Sequence, residues 1–392
     1  MPVMSLSQLS RAISEITIQD LSAEQRLELK ISVDALSKEL ETPWDTIKRI
    51  VWQEPSVKAC IYTLIELKAF QKWVEVGDGV RNSEDLSALL ACDRVLLNRL
   101  LRNLAANHLL VSHGTGRYAM TDFTRSLAQT NQIAAFNYSR HINSPMVEQL
   151  APCLIEQNQN YSTTRSSSTA FSQALGTSDT LFDYISKHPE HEIEFAHCMR
   201  GVSESMKSWV DIYPTESLLV DNDDGLYDGV VVVDIGGSTG HDINAFQRKH
   251  RLKSGRLVLQ DLEKVLEQAE VEPHITIMPH DFFRAQTVKA RAFYLHSILH
   301  DWQDNEACDI LRSIVPAMQK GESKILLHEL VMYDQNTPIE AAWMDITMLA
   351  AFNSAERNLK ECQDLVTKAG LRITGHFCSE GTAHSILELE LA

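Results

Sequence analysis

Residues 229–235 read GVVVVDI, an almost unbroken β-branched run, and the chain turns at once through Gly236-Gly237-Ser238-Thr239-Gly240 into HDINAFQRKH. A run without polar alternation is a stable strand only where both of its faces are covered, the condition inside a parallel sheet flanked by helices. Glycines that follow such a strand and precede a helix let backbone approach a ligand closely, with the helix N-terminus adding donors. The chain of 392 residues holds only 16 glycines, so three of them within five residues is a local signal. It is neither the dinucleotide pattern G-x-G-x-x-G, since Ser238 takes the second glycine position, nor a P-loop, since no Gly-Lys-Ser/Thr ending follows. A bare strand-to-helix turn is the plain alternative.

Downstream, RLVLQD, HITIMPHD, RAFYLHSIL and SKILLHEL read as further strands, with helical stretches such as DNEACDILRSIVPAM among them. RITGHFCSE and HSILELEL at the end suit an antiparallel pair. The pattern is α/β: a doubly wound, mostly parallel sheet with its ligand at the carboxyl ends of the first strands. Asp261 ends the second strand, where a carboxylate can take both ribose hydroxyls. Asp281 closes the third and can meet an adenine edge, with Phe282 beside the ring. A glycine turn and two acids on successive strands suit a nucleoside lacking a pyrophosphate, S-adenosylmethionine better than NAD.

The N-terminal part reads as helical. Residues 5–40 give one or two amphipathic helices, Ser56–Phe70 an apolar one, Ser83 caps SEDLSALL, and Asp93 opens DRVLLNRLLRNLAANHLL. LLVSH and RYAMT, parted by Gly114-Thr115-Gly116, make a hairpin signal, so the spacing predicts a winged-helix module. Arg94, Arg99 and Arg102 raise DNA binding, but Leu96, Leu97, Leu100, Leu101 and Leu104 on the same helix speak for packing. A dimerisation or lid role is the expectation. The domains are set at 1–122, 123–215 (connecting helices) and 216–392, with STTRSSST (162–169) read as a surface loop.

Lys plus Arg is 36 against 53 Asp plus Glu, a formal charge of −17, which opposes nucleic-acid and anionic-membrane binding. The 7 cysteines include no C-x-x-C pair, the start lacks a signal-peptide pattern, and no apolar stretch approaches ~18 residues. A soluble, cytoplasmic protein is expected.

The stretches VVVDIGGSTG, LVLQDLEKVLEQA, HDFF, YLHSILHDWQDNEACDILRSIVPAM and ILLHELV resemble the small-molecule S-adenosylmethionine-dependent O-methyltransferases, the caffeate and flavonoid type with fungal secondary-metabolism relatives. The resemblance implies cofactor contacts from Asp234, Gly236, Gly237, Gly240, Asp261, Leu262, Asp281 and Phe282, and a homodimer built through the N-terminal domain. His296, standing where the family often has Lys or Arg, is a further cofactor contact by the same resemblance, and Ser238 stands where the family has glycine. By the same resemblance His300 is the base that deprotonates the acceptor hydroxyl, held by Glu329 and Glu356, with Asp301 in support. Histidine suits that task because its pKa of ~6.5 lies near cellular pH. Asn353-Ser354-Ala355 replace the glycine that usually precedes the Glu356-Arg357 pair.

Each of these residues has a structural alternative. His300 and Asp301 can simply start a helix, and Glu329 can pair with a surface cation. Trp343, Met344 and Met348 in AAWMDITMLAAF are expected on or near one helical face lining the acceptor pocket, or as plain core. His141 is a further acceptor candidate. His274, His280 and His384 form no recognisable ligand set, and no metal is expected.

Three activities follow. The first is methyl transfer to a phenolic or enolic hydroxyl. The second comes from a likeness to fungal S-adenosylmethionine-dependent pericyclases, in LETPWDTIKRI and ILRSIVPAM, with dehydration and cycloaddition in place of methylation. The third is a cofactor-sensing regulator on DNA.

Overall fold

The computed structural model describes residues 6–156, 168–219, 229–335, 337–378 and 384–392. The chain forms two compact units, Met1–Arg125 and Ser126–Ala392. Among the described residues no helix is long and apolar enough to cross a membrane.

The first unit carries helices Leu6–Glu15, Ala23–Leu40, Pro43–Lys48, Glu54–Glu66, Ala69–Glu75, Ser83–Leu90 and Arg94–Ala106, with a small antiparallel sheet ordered Arg81–Asn82, Arg117–Met120, Leu110–Ser112. Three local expectations are corrected. The apolar helix expected to reach Phe70 stops at Glu66, because Lys68 adopts a left-handed conformation (φ 53°) and starts a new helix. Asn82, not Ser83, is the N-cap, accepting from the Asp85 amide at 2.7 Å, so the cap falls on the last residue of a strand. Leu97, Leu101 and Leu104 are buried, but Leu96 faces outward and is not part of the packed face. Asp93 caps its helix through the Leu96 amide as expected.

The second unit is built on an eight-stranded sheet. Its strands are β1 (Val232–Ile235), β2 (Leu257–Asp261), β3 (Ile275–Pro279), β4 (Ala292–His296), β5 (Lys324–Met332), β6 (Leu371–Cys378) and β7 (His384–Leu391), ordered β6-β7-β5-β4-β1-β2-β3. The two-residue strand Arg357–Asn358 pairs with the end of β5. Strands β3 to β5 run parallel through β1, while β7 is antiparallel to both β5 and β6.

Helices α1 (His241–His250), α2 (Asp304–Ile314), α3 (Ile339–Phe352) and α4 (Leu359–Lys368) follow strands or strand-end turns. Val231, Val232 and Val233 are fully buried, as the β-branched run requires. One face of the sheet packs on Ala307, Ile310 and Leu311 of α2 and on Leu365 and Val366 of α4. The other packs on Trp209, which stacks between Phe246 (5.4 Å) and Tyr294 (4.4 Å). At ~1.5–3 kcal/mol per buried large apolar side chain, these two layers hold β1 rigidly beneath its glycine turn.

The helices from Thr130 to Ser205 and α3 share a separate core around Met146, Phe171, Leu181 and Ala350. Of the loop expected at 162–169, only Ser168 and Thr169 are described; Thr169 caps Ala170–Leu175 with a full capping box.

Candidate active site

The glycine turn hangs on β2. The amides of Gly236 and Gly237 donate to the Gln260 carbonyl at 2.8 and 3.2 Å, and the Ser238 amide to Asp261 Oδ2 at 2.9 Å. Asp261 Oδ1 accepts from the Leu262 amide at 2.7 Å, so this carboxylate clamps the turn from below. Gly236 has φ 70°, and a Cβ there would lie 2.6 Å from Ile298 Cδ1. At Gly237 it would lie 2.5 Å from the Asp234 carboxyl and from Leu259 Cδ1. Gly236 and Gly237 therefore stay without a side chain by steric necessity. Ser238 accepts φ 52° in place of a glycine, a cost short polar side chains tolerate better than bulky ones.

Asp234 is buried beneath this turn. Burial, and then the nearby Asp242 and Asp261 charges, push its carboxyl well above the usual range. Its Oδ2 has no protein hydrogen-bond partner. Phe282 lies against Gly236 and packs on Phe283 and Trp302. Asp281 accepts from the Phe283 amide and keeps a partly exposed carboxylate, and Leu262 is exposed. A bare glycine turn, an orphan carboxyl oxygen under it, a carboxylate at the end of β2 and an aromatic ring beside it fit an adenosyl group with an amino-acid tail.

Two residues after Ile298, which packs on Gly236, stands His300, buried in the short 3-10 turn Leu299–Asp301. Its Nδ1 meets Glu356 Oε1 at 2.7 Å and its Nε2 faces Asp301 Oδ1 at 3.6 Å. Glu329 holds the turn rather than the imidazole: its Oε1 accepts from the Ile298 and Leu299 amides at 3.0 and 2.8 Å. Burial alone would push His300 down, but Asp301, Glu356 and Glu329 outweigh it and raise the imidazole to about 10. Burial raises Asp301 to about 7, against the pull of His300. The imidazole thus holds its proton more firmly than a free one, able to give it as well as to take one once neutral.

Sequence reasoning missed the residues that brace this turn. Arg357 donates to the Leu299 carbonyl (2.8 Å), the Trp302 carbonyl (2.7 Å) and Asp304 (3.0 Å). Ser354 Oγ donates to the His300 carbonyl, and Asp345 receives the Glu356 amide at 2.9 Å. The residues replacing the family glycine thus make contacts of their own, and Asn353 takes the left-handed conformation (φ 53°) that glycine would supply. Tyr138, half-buried near Asp301, is also new; desolvation, Cys198 and Asp301 raise its phenol.

The remaining candidates scatter. His296 Nδ1 is taken by Asp242 at 2.7 Å, and its ring stacks on His328 at 4.1 Å. His384, which no sequence spacing could group, joins these two, because three neighbouring strands bring the residues together. Burial, then neighbouring imidazoles, lower His328 well below the ordinary range and His384 to about 4. His141 shares Glu194 with His191, at 3.1 and 3.3 Å. On α3 the expected common face splits. Met348 is buried and Met344 packs by Leu330 and Ala341, whereas Trp343 is 51% exposed.

A family profile described as an O-methyltransferase domain matches residues 154–372. Demethylsterigmatocystin 6-O-methyltransferase of Aspergillus flavus is 32% identical over 84% of this chain and 84% of its own. A solved structure described as a pericyclic reaction enzyme superposes with TM-score 0.89 at 26% identity, covering 98% of this chain and 99% of its own. LepI in complex with S-adenosylmethionine does so with TM-score 0.89 at 27% identity, covering 99% and 100%.

Proposed function

The chain belongs to the O-methyltransferase family, and we propose that it methylates a hydroxyl of a small aromatic or polyketide-type molecule with S-adenosylmethionine, His300 serving as the proton acceptor. The observation that carries this reading is the buried 2.7 Å His300–Glu356 contact, two residues beyond the side chain that packs on Gly236. Asp234, Gly236, Gly237, Gly240, Asp261, Leu262, Asp281 and Phe282 would hold the cofactor. When bound, the cofactor supplies a methyl on a sulfonium, an electrophile that is also a fixed positive charge. Glu356 fixes the tautomer of His300 and stabilises the imidazolium formed when Nε2 takes the acceptor proton. Asp301 lies on that side of the ring and orients the hydroxyl. Glu329 and Arg357 keep the turn from shifting, which matters because orientation can supply ~7–11 kcal/mol. His141 and Trp343 are the acceptor-facing candidates, since both keep exposed surface.

The raised pKa of His300 favours a second reading. An imidazolium at neutral pH can protonate a leaving hydroxyl, so the same centre would drive a dehydration and the pericyclic step after it. The likeness to a pericyclic reaction enzyme supports this alternative. Incubation with phenolic and pyridone-type polyketides and methyl-labelled S-adenosylmethionine separates the two. Label in the product, with S-adenosylhomocysteine in equal amount, is expected from the first reading. A rearranged, unlabelled product with the cofactor intact would sink it.

A homodimer is part of the proposal. Leu40, Trp44, Ile50, Val51 and Trp52 in the first unit are all more than half exposed, more apolar surface than monomers usually display in one place. The native chain should elute as a dimer and Trp52→Asp as a monomer in light-scattering chromatography. A native monomer at micromolar concentration would remove this part.

A further inference from the structure

The register of three strands gathers three imidazoles that the proposed chemistry does not use. His296 on β4 and His328 on β5 are Cα partners, and His384 opens β7, whose Ile386 pairs with His328. One nitrogen of each lies within 4.8 Å of the other two. Two of the rings are held from behind, as metal-ligating histidines usually are. His296 Nδ1 meets the Asp242 carboxylate at 2.7 Å, and His328 Nδ1 meets the Tyr294 hydroxyl at 2.8 Å. That leaves Nε2 of both rings buried without a protein hydrogen-bond partner. His384 directs Nε2 at the Glu340 carboxylate, 3.6 Å away. Its ring stands edge-on to the stacked pair, at 85° and 75°. Packing alone does not call for this arrangement, since an apolar side chain would fill a buried position without stranding polar atoms.

We infer that His296, His328 and His384 form a binding site for a divalent late first-row metal ion, Zn²⁺ being the ion that three neutral imidazoles suit best. A tetrahedral site with Zn–N of ~2.0–2.1 Å sets ligand nitrogens ~3.3 Å apart, so loading tilts the stacked rings and draws the donors inward. The fourth position stays open to water or a small anion. The ion ties β4, β5 and β7 together and, through Asp242, reaches the first turn of α1 next to the glycine turn. It acts independently of which reaction His300 performs.

His141, His191 and Glu194 also lie close enough to hold an ion, but there one Glu194 oxygen already engages both rings. That cluster serves as the control. Metal-stripped full-length protein is titrated with Co²⁺, which reports four-coordination by intense visible absorption, and then with Zn²⁺. One intense Co²⁺ site per chain, displaced by Zn²⁺, is expected. It should be abolished in His328→Gln, weakened ~10–100-fold in Asp242→Asn, and unchanged in Glu194→Gln. Zn²⁺ should also raise the melting temperature of the native chain and not that of His384→Asn, which keeps the test decisive should His328→Gln fail to fold. No intense absorption in the native chain, or a signal that survives His328→Gln and vanishes with Glu194→Gln, overturns the site.

Discussion

Replacing His300 with Ala should lower methyl transfer by ~10²–10⁴-fold, the range a positioned general base contributes. The loss should appear in kcat more than in KM, because the ring would act on a proton that moves only in the transition state. Glu356→Gln tests the same centre by charge alone, keeping the shape and the contact to Nδ1. Asp301, Glu356 and Glu329 together raise His300 to about 10 against burial. Without the Glu356 charge the imidazole pKa falls, so the neutral form becomes available at lower pH. If His300 takes a proton, the rising limb of the pH–rate profile therefore moves to lower pH in Glu356→Gln. If His300 gives one, the falling limb makes that move instead, and activity at neutral pH drops. A profile that stays in place under both substitutions would show that neither reading uses this ring.

The second large effect belongs to the glycine turn. A Cβ at Gly237 would stand 2.5 Å from the Asp234 carboxyl and from Leu259 Cδ1, both in fully packed surroundings. Overpacking of this kind costs ~1–3 kcal/mol. If the turn absorbs it by shifting, the strain appears as ~5–150-fold weaker cofactor binding. Gly237→Ala should thus raise the S-adenosylmethionine Kd by calorimetry while the circular dichroism spectrum stays native. Gly201→Ala, whose Cβ would meet only Asn131 at an ordinary 3.4 Å, should bind normally. Equal affinity in the two variants would place the cofactor away from this turn.

What the sequence made legible follows from the range of each interaction. The buried run 230–235, the Asp93 cap and the antiparallel pair of β6 and β7 are written in neighbouring residues and appear where expected. His300 and Glu356 stand 56 positions apart and were joined only through a family resemblance; their contact depends on Arg357 and Ser354 pinning the turn. The distinction between Glu356, which touches the ring, and Glu329, which holds the backbone under it, was invisible because both are glutamates beside strands. His384 met His296 and His328 through strand register alone, which no local spacing encodes. The break at Lys68 escaped because the apolar periodicity runs through it without a glycine or proline to mark the stop.

The placement of β7 bears on how the chain is made. It is the last of the seven labelled strands to leave the ribosome, yet it pairs inside the sheet, between β5 and β6, with Ile386, Leu387 and Leu389 fully buried. Until residues 384–391 emerge, β5 shows a long apolar edge with unpaired amides and carbonyls, the kind of template that recruits strands from other chains. A chain of this topology therefore carries a pairing-competent edge on β5 for as long as β7 is not in place.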